Sequence, residues 1–593
     1  MKQTRASKPK VRTGCITCKS AATEVVITVV CTDVDRARRV KCDEGKPTCT
    51  RCTDTGRKCE GYAVPASSAA LLPIEVAPRP EVASPVEPRA LDFFFHKTAP
   101  HLAGFFEASF FQGSVLQLSL AEPAIRQAIA AIASLHELEA PDPSLPTDTG
   151  LSADLPVRLY NQSIRSIIDR AAGNNAMPVV AVANILYTCF EFLRGNAATA
   201  ANHVRSGINL LQSYREQSGG APAGPWGQKY QSFESHFMET EIAPLLSLFN
   251  VNVLKFGRRD RARLLLNSVD DIGQVVLADR FETPREARVA LLDLISISIT
   301  SFEYFDQVVS HGELPMADIL VFFDGMRTGL RQWKAKFEDL ARRQEHSWNQ
   351  KEQAAANVIH VMGFSGDIGM IAYQVNGESD WDAYRSEYVE FIQLAESLVS
   401  DEAHYPDPLA KVLSLDFGMI FPLHAVAWKC RWPHLRRKGL DLFHKIPKRE
   451  WSLVSERYHA IFSRIMEIEE SHLQLAPGTI PDENVLPPEH ARIHDFQVAP
   501  HPISPDERPL FAVSFFSKPN GLDSDWHCQT EYLHLGTSES AESAELAVPS
   551  NLIARRPWAS SELSDPNTIR LLKSAVFGSE TELLVRASPG RDL

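Results

Sequence analysis

Seven of the ten cysteines of this chain (Cys15, Cys18, Cys31, Cys42, Cys49, Cys52 and Cys59) fall before residue 60. A stretch that short cannot bury an apolar core of its own, so a cross-link or a metal must order it. The N-terminus is basic and is not followed by the apolar segment of a secretory signal, which predicts a reducing compartment and free or metal-bound thiols. The spacing is Cys15-x2-Cys18, then Cys42-x6-Cys49-x2-Cys52-x6-Cys59. Two thiolates three residues apart can both reach one tetrahedral zinc at about 2.3 Å. Six thiolates satisfy two four-coordinate ions only if two sulfurs bridge, and the negative cluster that results needs basic neighbours.

Those neighbours are present. Residues 1–62 carry 14 Lys and Arg against 7 Asp and Glu, a net of +7, which leaves -20 on the remaining 531 residues. A basic head favours a polyanion, because each neutralised phosphate releases condensed counterions, while an acidic body avoids one.

This pattern resembles the fungal Zn2Cys6 binuclear cluster DNA-binding domain. The resemblance implies two Zn2+ per chain, held by Cys15, Cys18, Cys42, Cys49, Cys52 and Cys59, with Cys15 and Cys49 as the bridging ligands. It places Arg38 and Arg39 in the major groove of double-stranded DNA, where an Arg fork can bond guanine O6 and N7. Lys19, Lys41 and Arg51 would touch phosphate, which orients a protein without reading sequence. The family further implies CGG-type promoter half-sites, control of a pathway gene set, contact with the transcription machinery and a place in the nucleus.

One departure stands out. The family has six residues between its second and third cysteines, and this chain has 23. Removing Ser20 to Arg36 restores six. The 17-residue segment, SAATEVVITVVCTDVDR, is β-branched and holds three acidic groups against one basic, unlike a recognition helix. It reads as a translated intron; a surface loop is the alternative. Cys31, within it, is expected to be incidental.

Residues 63–90 hold six prolines and read as an extended linker. The same prolines exclude a coiled coil directly after the cluster, leaving open monomeric binding or a homodimer formed through the body. From 91 to about 475 apolar residues recur at helical spacing: Ile125, Ile129, Ile132 and His136; Tyr160, Ile164, Ile167, Ile168 and Ala171; Ile319, Phe322, Met326, Leu330, Trp333, Phe337 and Leu340. Thr283, Pro284 and Glu286 predict a capped helix start. The run Met177 to Phe190 is too short to cross a bilayer and contains Asn184, so no membrane segment is expected. Over 490–536 the period becomes two: Phe511, Val513 and Phe515 alternate with neighbours, an Asn-Gly pair follows, and Trp526 to Leu535 returns, which predicts a β-hairpin. Residues 537–593 read as a mostly disordered tail. The fold expected is mainly α: a small Zn2Cys6 head, a Pro-rich linker, a large helical array and a small C-terminal hairpin.

The body also resembles the helical regulatory domain of fungal zinc-cluster factors, through the segments 128–136, 203–211, 430–437, Glu469 with Glu470, 492–495 and 515–521. No enzyme is expected. Asp416-Phe417-Gly418 matches a kinase triplet without its partners, and Leu409 to Trp428 reads as one buried helix kinked at Pro422. His490 and His494 lack the glutamate of a zinc hydrolase motif, His203 reads as packed, Cys189 as an inert core thiol, and Cys430 as a thiol beside charges without a base. The competing reading is a helical binding module whose cluster the insert has broken.

Overall fold

The computed structural model describes residues 50–54, 86–139, 152–171, 177–217, 232–254 and, with short interruptions, 264–535. The insert, most of the head, the linker over 63–85 and the tail lie outside the described residues. The chain divides into two units, 1–71 and 72–593.

The first stripe builds what it predicts. In α1 (Pro123–Glu139) Ile125, Ile129 and Ile132 are fully buried, because residues at i, i+4 and i+7 share one helix face. That face packs on α2 (Leu155–Ala171) and α3 (Met177–Leu193), and α3 packs on α4 (Ala197–Gln217). One residue of the second stripe departs: Ile168 is 65% exposed, one position off the face that buries Ile167. Helix α3 is buried on nearly every side from Val179 to Leu193, which accounts for its apolar run. Its Asn184 donates from Nδ2 to the His203 carbonyl at 2.9 Å. A Cβ on Gly207 of α4 would come 2.4 Å from Asn184 Oδ1, so the absent side chain is what lets these helices approach.

All twelve residues of α5 (Ala243–Leu254) are buried. Thr283 then caps α6 (Pro284–His311), accepting the Glu286 N–H on Oγ1 at 3.2 Å. Glu286 reaches back to the N–H of Glu282 at 2.8 Å, one residue further than a capping box on Thr283 requires. Helices α7 (Met316–Gln344) and α8 (Gln350–Ile371) pack on α6 and on each other. Met326, Leu330, Trp333, Phe337 and Leu340 are buried as their spacing predicts, and Trp333 Nε1 donates to the Ala287 carbonyl at 2.8 Å. No helix among the described residues is long and apolar enough to cross a membrane.

Four shorter helices follow: α9 (Arg385–Ser400), α10 (Ile420–Lys429), α11 (Pro433–Leu442) and α12 (Ser455–Ser471). The single kinked helix expected over Leu409 to Trp428 is not formed. Leu413–Ser414 is a short strand instead, parallel to Arg449–Glu450, which is antiparallel to Leu453–Val454. Helix α10 starts at Ile420 because the buried Glu450 carboxylate accepts the N–H groups of Met419 at 2.8 Å and Ile420 at 2.6 Å. Pro422 therefore falls in the first turn, where its missing donor costs nothing and no kink arises.

The C-terminal hairpin gains a third strand. β1 (Ile493–Val498), β2 (Leu510–Ser517) and β3 (His527–His534) form an antiparallel sheet in that order. Phe511, Val513 and Phe515 point inward as the alternation predicts. The β2–β3 connection runs over 518–526 rather than closing on Asn-Gly alone, with Gly521 at φ +110°. The buried Lys518 holds it, donating to the Leu522 carbonyl at 2.7 Å with its ammonium 4.5 Å from the centre of the Trp526 ring.

Candidate nucleic-acid interface and the ion network of the body

Of the predicted head residues, Arg51 and Cys52 fall on a described element, the helical turn Thr50–Asp54. Cys15, Cys18, Lys19, Arg38, Arg39, Lys41, Cys42, Cys49 and Cys59 lie outside the described residues. Cys52 is 2% exposed, flanked by exposed Thr50 and Thr53. A thiol turned inward from a short helical turn, in a stretch too small for an apolar core, fits a zinc ligand.

In the body the residues of three sequence segments converge on one carboxylate. Glu469, on α12 and fully buried, receives Arg431 Nη2 at 2.9 Å on one oxygen and Arg436 Nη1 at 2.6 Å on the other. The Ile493 N–H of β1 donates to it at 2.8 Å. Arg431 also meets Glu378 at 2.9 Å, and Glu378 takes the buried Lys429 ammonium at 2.7 Å. Arg492 grips Asp382 through both Nη atoms, at 2.8 and 2.6 Å, and donates to the Glu378 carbonyl at 2.9 Å. Outside this core, Arg437 forms a bidentate pair with Glu470 at 2.9 and 2.6 Å.

The sequence puts Lys429 at the end of α10, Arg431 in the connection that follows, Arg436 on α11 and the central anion on α12, so the network ties these helices to β1 and to the turn Glu378–Tyr384. Burial alone would raise the Glu469 carboxyl, but Arg431 and Arg436 outweigh it and hold it at about 2. Burial would likewise raise Glu378, and Lys429 and Arg431 bring it below the ordinary carboxylate value. A set of ionised groups this enclosed presents no face to a substrate; what it can do is fix the geometry of three helices. Segments 430–437, Glu469 with Glu470 and 492–495 carried the family resemblance and are here one structural unit. Glu378, Asp382 and Lys429 were not read from the sequence, since no spacing links them to Arg431 or Arg492.

The look-alike motifs resolve. His490 is exposed in a short turn, whereas His494 is 8% exposed on β1 with Nε2 3.5 Å from Glu489, so the two share no helix. His203 Nε2 lies 2.8 Å from the Tyr160 hydroxyl, a packed contact. Cys189 is fully buried, and burial pushes its thiol far up. Cys430 lies beside the charges of Arg436 and Arg431 as expected, but it is buried, and burial pushes its thiol up to about 12, so it is not a reactive thiol. Asp416 and Phe417 lie outside the described residues. Gly418 is needed because a Cβ there would stand 2.0 Å from Glu450 Oε2.

Comparison with known proteins gives two family matches. Residues 33–68 match the fungal Zn(2)-Cys(6) binuclear cluster domain and residues 89–247 the fungal specific transcription factor domain. The first match includes Cys42, Cys49, Cys52 and Cys59 and begins inside the insert, leaving Cys15 and Cys18 outside it. The chain is 25% identical over 435 residues to the aspercryptin biosynthesis cluster-specific transcription regulator atnN of Emericella nidulans, covering 65% of this chain and 64% of that protein. It is 29% identical over 210 residues to the transcription regulator lscL of Purpureocillium lilacinum, covering 30% of this chain and 48% of that one. A 58-residue stretch is 41% identical to the transcriptional regulatory protein moc3 of Schizosaccharomyces pombe, 10% of this chain and 8% of the other. No solved structure matches. Both matched domains, and the relatives' names, are those of fungal transcription regulators and not of enzymes, and the chain spans less than two thirds of the length of the first two of these relatives.

Proposed function

We propose that the chain is a nuclear, sequence-specific DNA-binding regulator that controls a pathway gene set from CGG-type promoter elements. The observation that carries this is the basic head with its pattern of six zinc-spaced cysteines, joined to a helical regulatory body, with relatives whose names describe transcription regulators, one of them specific to a biosynthesis cluster. Zinc, when bound, supplies a rigid cross-link and no reaction. Cys15, Cys18, Cys42, Cys49, Cys52 and Cys59 would hold two ions, with Cys15 and Cys49 bridging. Arg39, with Arg38 beside it, would read guanine, while Lys19, Lys41 and Arg51 neutralise phosphate. With a linker too rich in proline to coil, any homodimer would form through the body, which would also meet the transcription machinery.

The insert over 20–36 decides whether the 593-residue form does this. Lengthening a loop from 6 to 23 residues costs roughly 1.2 kcal/mol, small beside the 10 or more kcal/mol of structural-zinc binding. Metal binding tolerates the insert. Base reading does not, because Lys19 and the Arg38–Arg39 pair lose their fixed phase on one short helix. The family match starts at residue 33, within the insert, so the likeness to the family is interrupted where the extra segment lies. The test compares the full chain with a form lacking Ser20 to Arg36 on probes with and without a CGG element. Discrimination by the shortened form alone supports the proposal and shows the insert to be incompatible with base reading; a transcript lacking the codons for Ser20 to Arg36 would identify it as intronic. Failure of both forms to discriminate favours the alternative, a helical module acting through protein or small-molecule contacts.

A further inference from the structure

His444 lies in the turn that follows α11, and His459 on the second turn of α12. Their Nε2 atoms are 3.1 Å apart, with ring centroids at 4.2 Å and planes inclined by 51°, so the nitrogen-bearing edges are nearer than the ring centres. We infer that this pair is a surface binding site for a divalent transition-metal ion of the zinc and nickel class, formed by the body alone.

Two imidazole nitrogens on one zinc, each at about 2.0–2.1 Å, stand roughly 2.9 Å apart at a right angle and roughly 3.4 Å apart at the tetrahedral angle. The observed separation falls between these values. His444 is exposed and His459 half-buried, so the remaining coordination positions face solvent. Asp441 and Glu456, each three residues before one of the histidines, supply negative field at His459 without coordinating. Among the described residues no group of three or more ligating side chains is assembled, so two histidines and water complete the site, and its ion exchanges with solvent. The same gap accommodates an N–H···N hydrogen bond. The ion takes the place of that hydrogen, and the donor imidazole moves its proton to Nδ1, with no net change in protonation. Once seated, the ion ties the turn after α11 to α12.

Calorimetric titration of the zinc-replete full chain with Ni2+ at pH 7.5 tests this, with His444→Ala, His459→Ala and the double variant as comparisons. Wild type is expected to show a site that each single variant weakens at least tenfold and the double variant lacks. At pH 5.5, where imidazoles protonate, the site should be lost. Added Ni2+ should raise the unfolding temperature of wild type and not of the double variant. His444→Gln, on the exposed turn, keeps the test alive should the alanine forms fold poorly, and is expected to weaken Ni2+ as much as His444→Ala. Identical isotherms for wild type and every histidine variant would overturn the assignment.

Discussion

Arg436 and Glu469 meet at 2.6 Å with their side chains 1% and 0% exposed, on helices brought together from 33 residues apart. Removing one partner of a pair this enclosed strands the other's charge, which is why such pairs are costly to break even when they contribute little net stability. Glu469→Ala, which strands both Arg431 and Arg436, should destabilise the body by about 3–5 kcal/mol. Arg437→Ala removes a pair whose members are 24% and 17% exposed and should cost about 1 kcal/mol or less. Urea unfolding followed by tryptophan fluorescence would read the difference, since Trp428 lies beside the network; equal losses would refute the ranking.

The same network sets an acid limit. The Glu469 carboxyl lies at about 2 in the folded chain against an ordinary 4.5. Its contribution is complete above the unfolded value and is lost as pH falls from there towards about 2. Glu378 is displaced in the same direction and adds to the slope. Denaturation midpoints measured at pH 7, 5, 4 and 3 should hold to about pH 5 and then drop, and Glu469→Gln should show a shallower drop from a lower start.

Glycine positions offer a steric test. Gly418→Ala drives a methyl into Glu450 and opens the cap of α10, for a loss of about 1–3 kcal/mol. Gly207→Ala collides with Asn184 and Leu246 and should cost a similar amount. Gly113→Ala, with nothing within 4 Å, should be neutral or slightly stabilising. Thermal midpoints of the three variants check the order.

In the head, elemental analysis of the form lacking 20–36 should find two zinc ions per chain, with Cys31 uninvolved. On a CGG probe at fixed salt, Arg39→Ala should cost about 1–3 kcal/mol and relax preference at one guanine, whereas Lys41→Ala should weaken all sequences alike. Equal losses on specific and non-specific DNA for both would remove Arg39 from base reading.

How far the sequence reaches is clearest residue by residue. The α1 and α7 stripes and the inward face of β2 were legible because burial with a period of 3.6 or 2 is a local property. Ile168 misled because its neighbour Ile167 already fills the buried position. The start of α10 depends on Glu450, 30 residues away in sequence, and no local pattern reports a cap supplied from that distance. β1 escaped notice for a related reason: four of its six residues, Ile493, His494, Asp495 and Phe496, are buried in succession, so no alternation marks it. The carboxylate at the centre of the ion network was visible as part of a family-like segment, but its lysine and second glutamate are partners only in space.

The buried helix α5 bears on how this protein should be cut. The fungal specific transcription factor match ends at residue 247, inside Ala243–Leu254, every residue of which is buried and which packs on both α4 and α6. A fragment designed on that boundary would sever α5 and uncover α4, and with it the apolar α3 beneath. Such a piece should precipitate or be degraded even though it contains the whole matched region. Expression boundaries for the regulatory body therefore belong beyond the sheet, after Leu535, so that the last helices and β1 remain to close the Glu469 network.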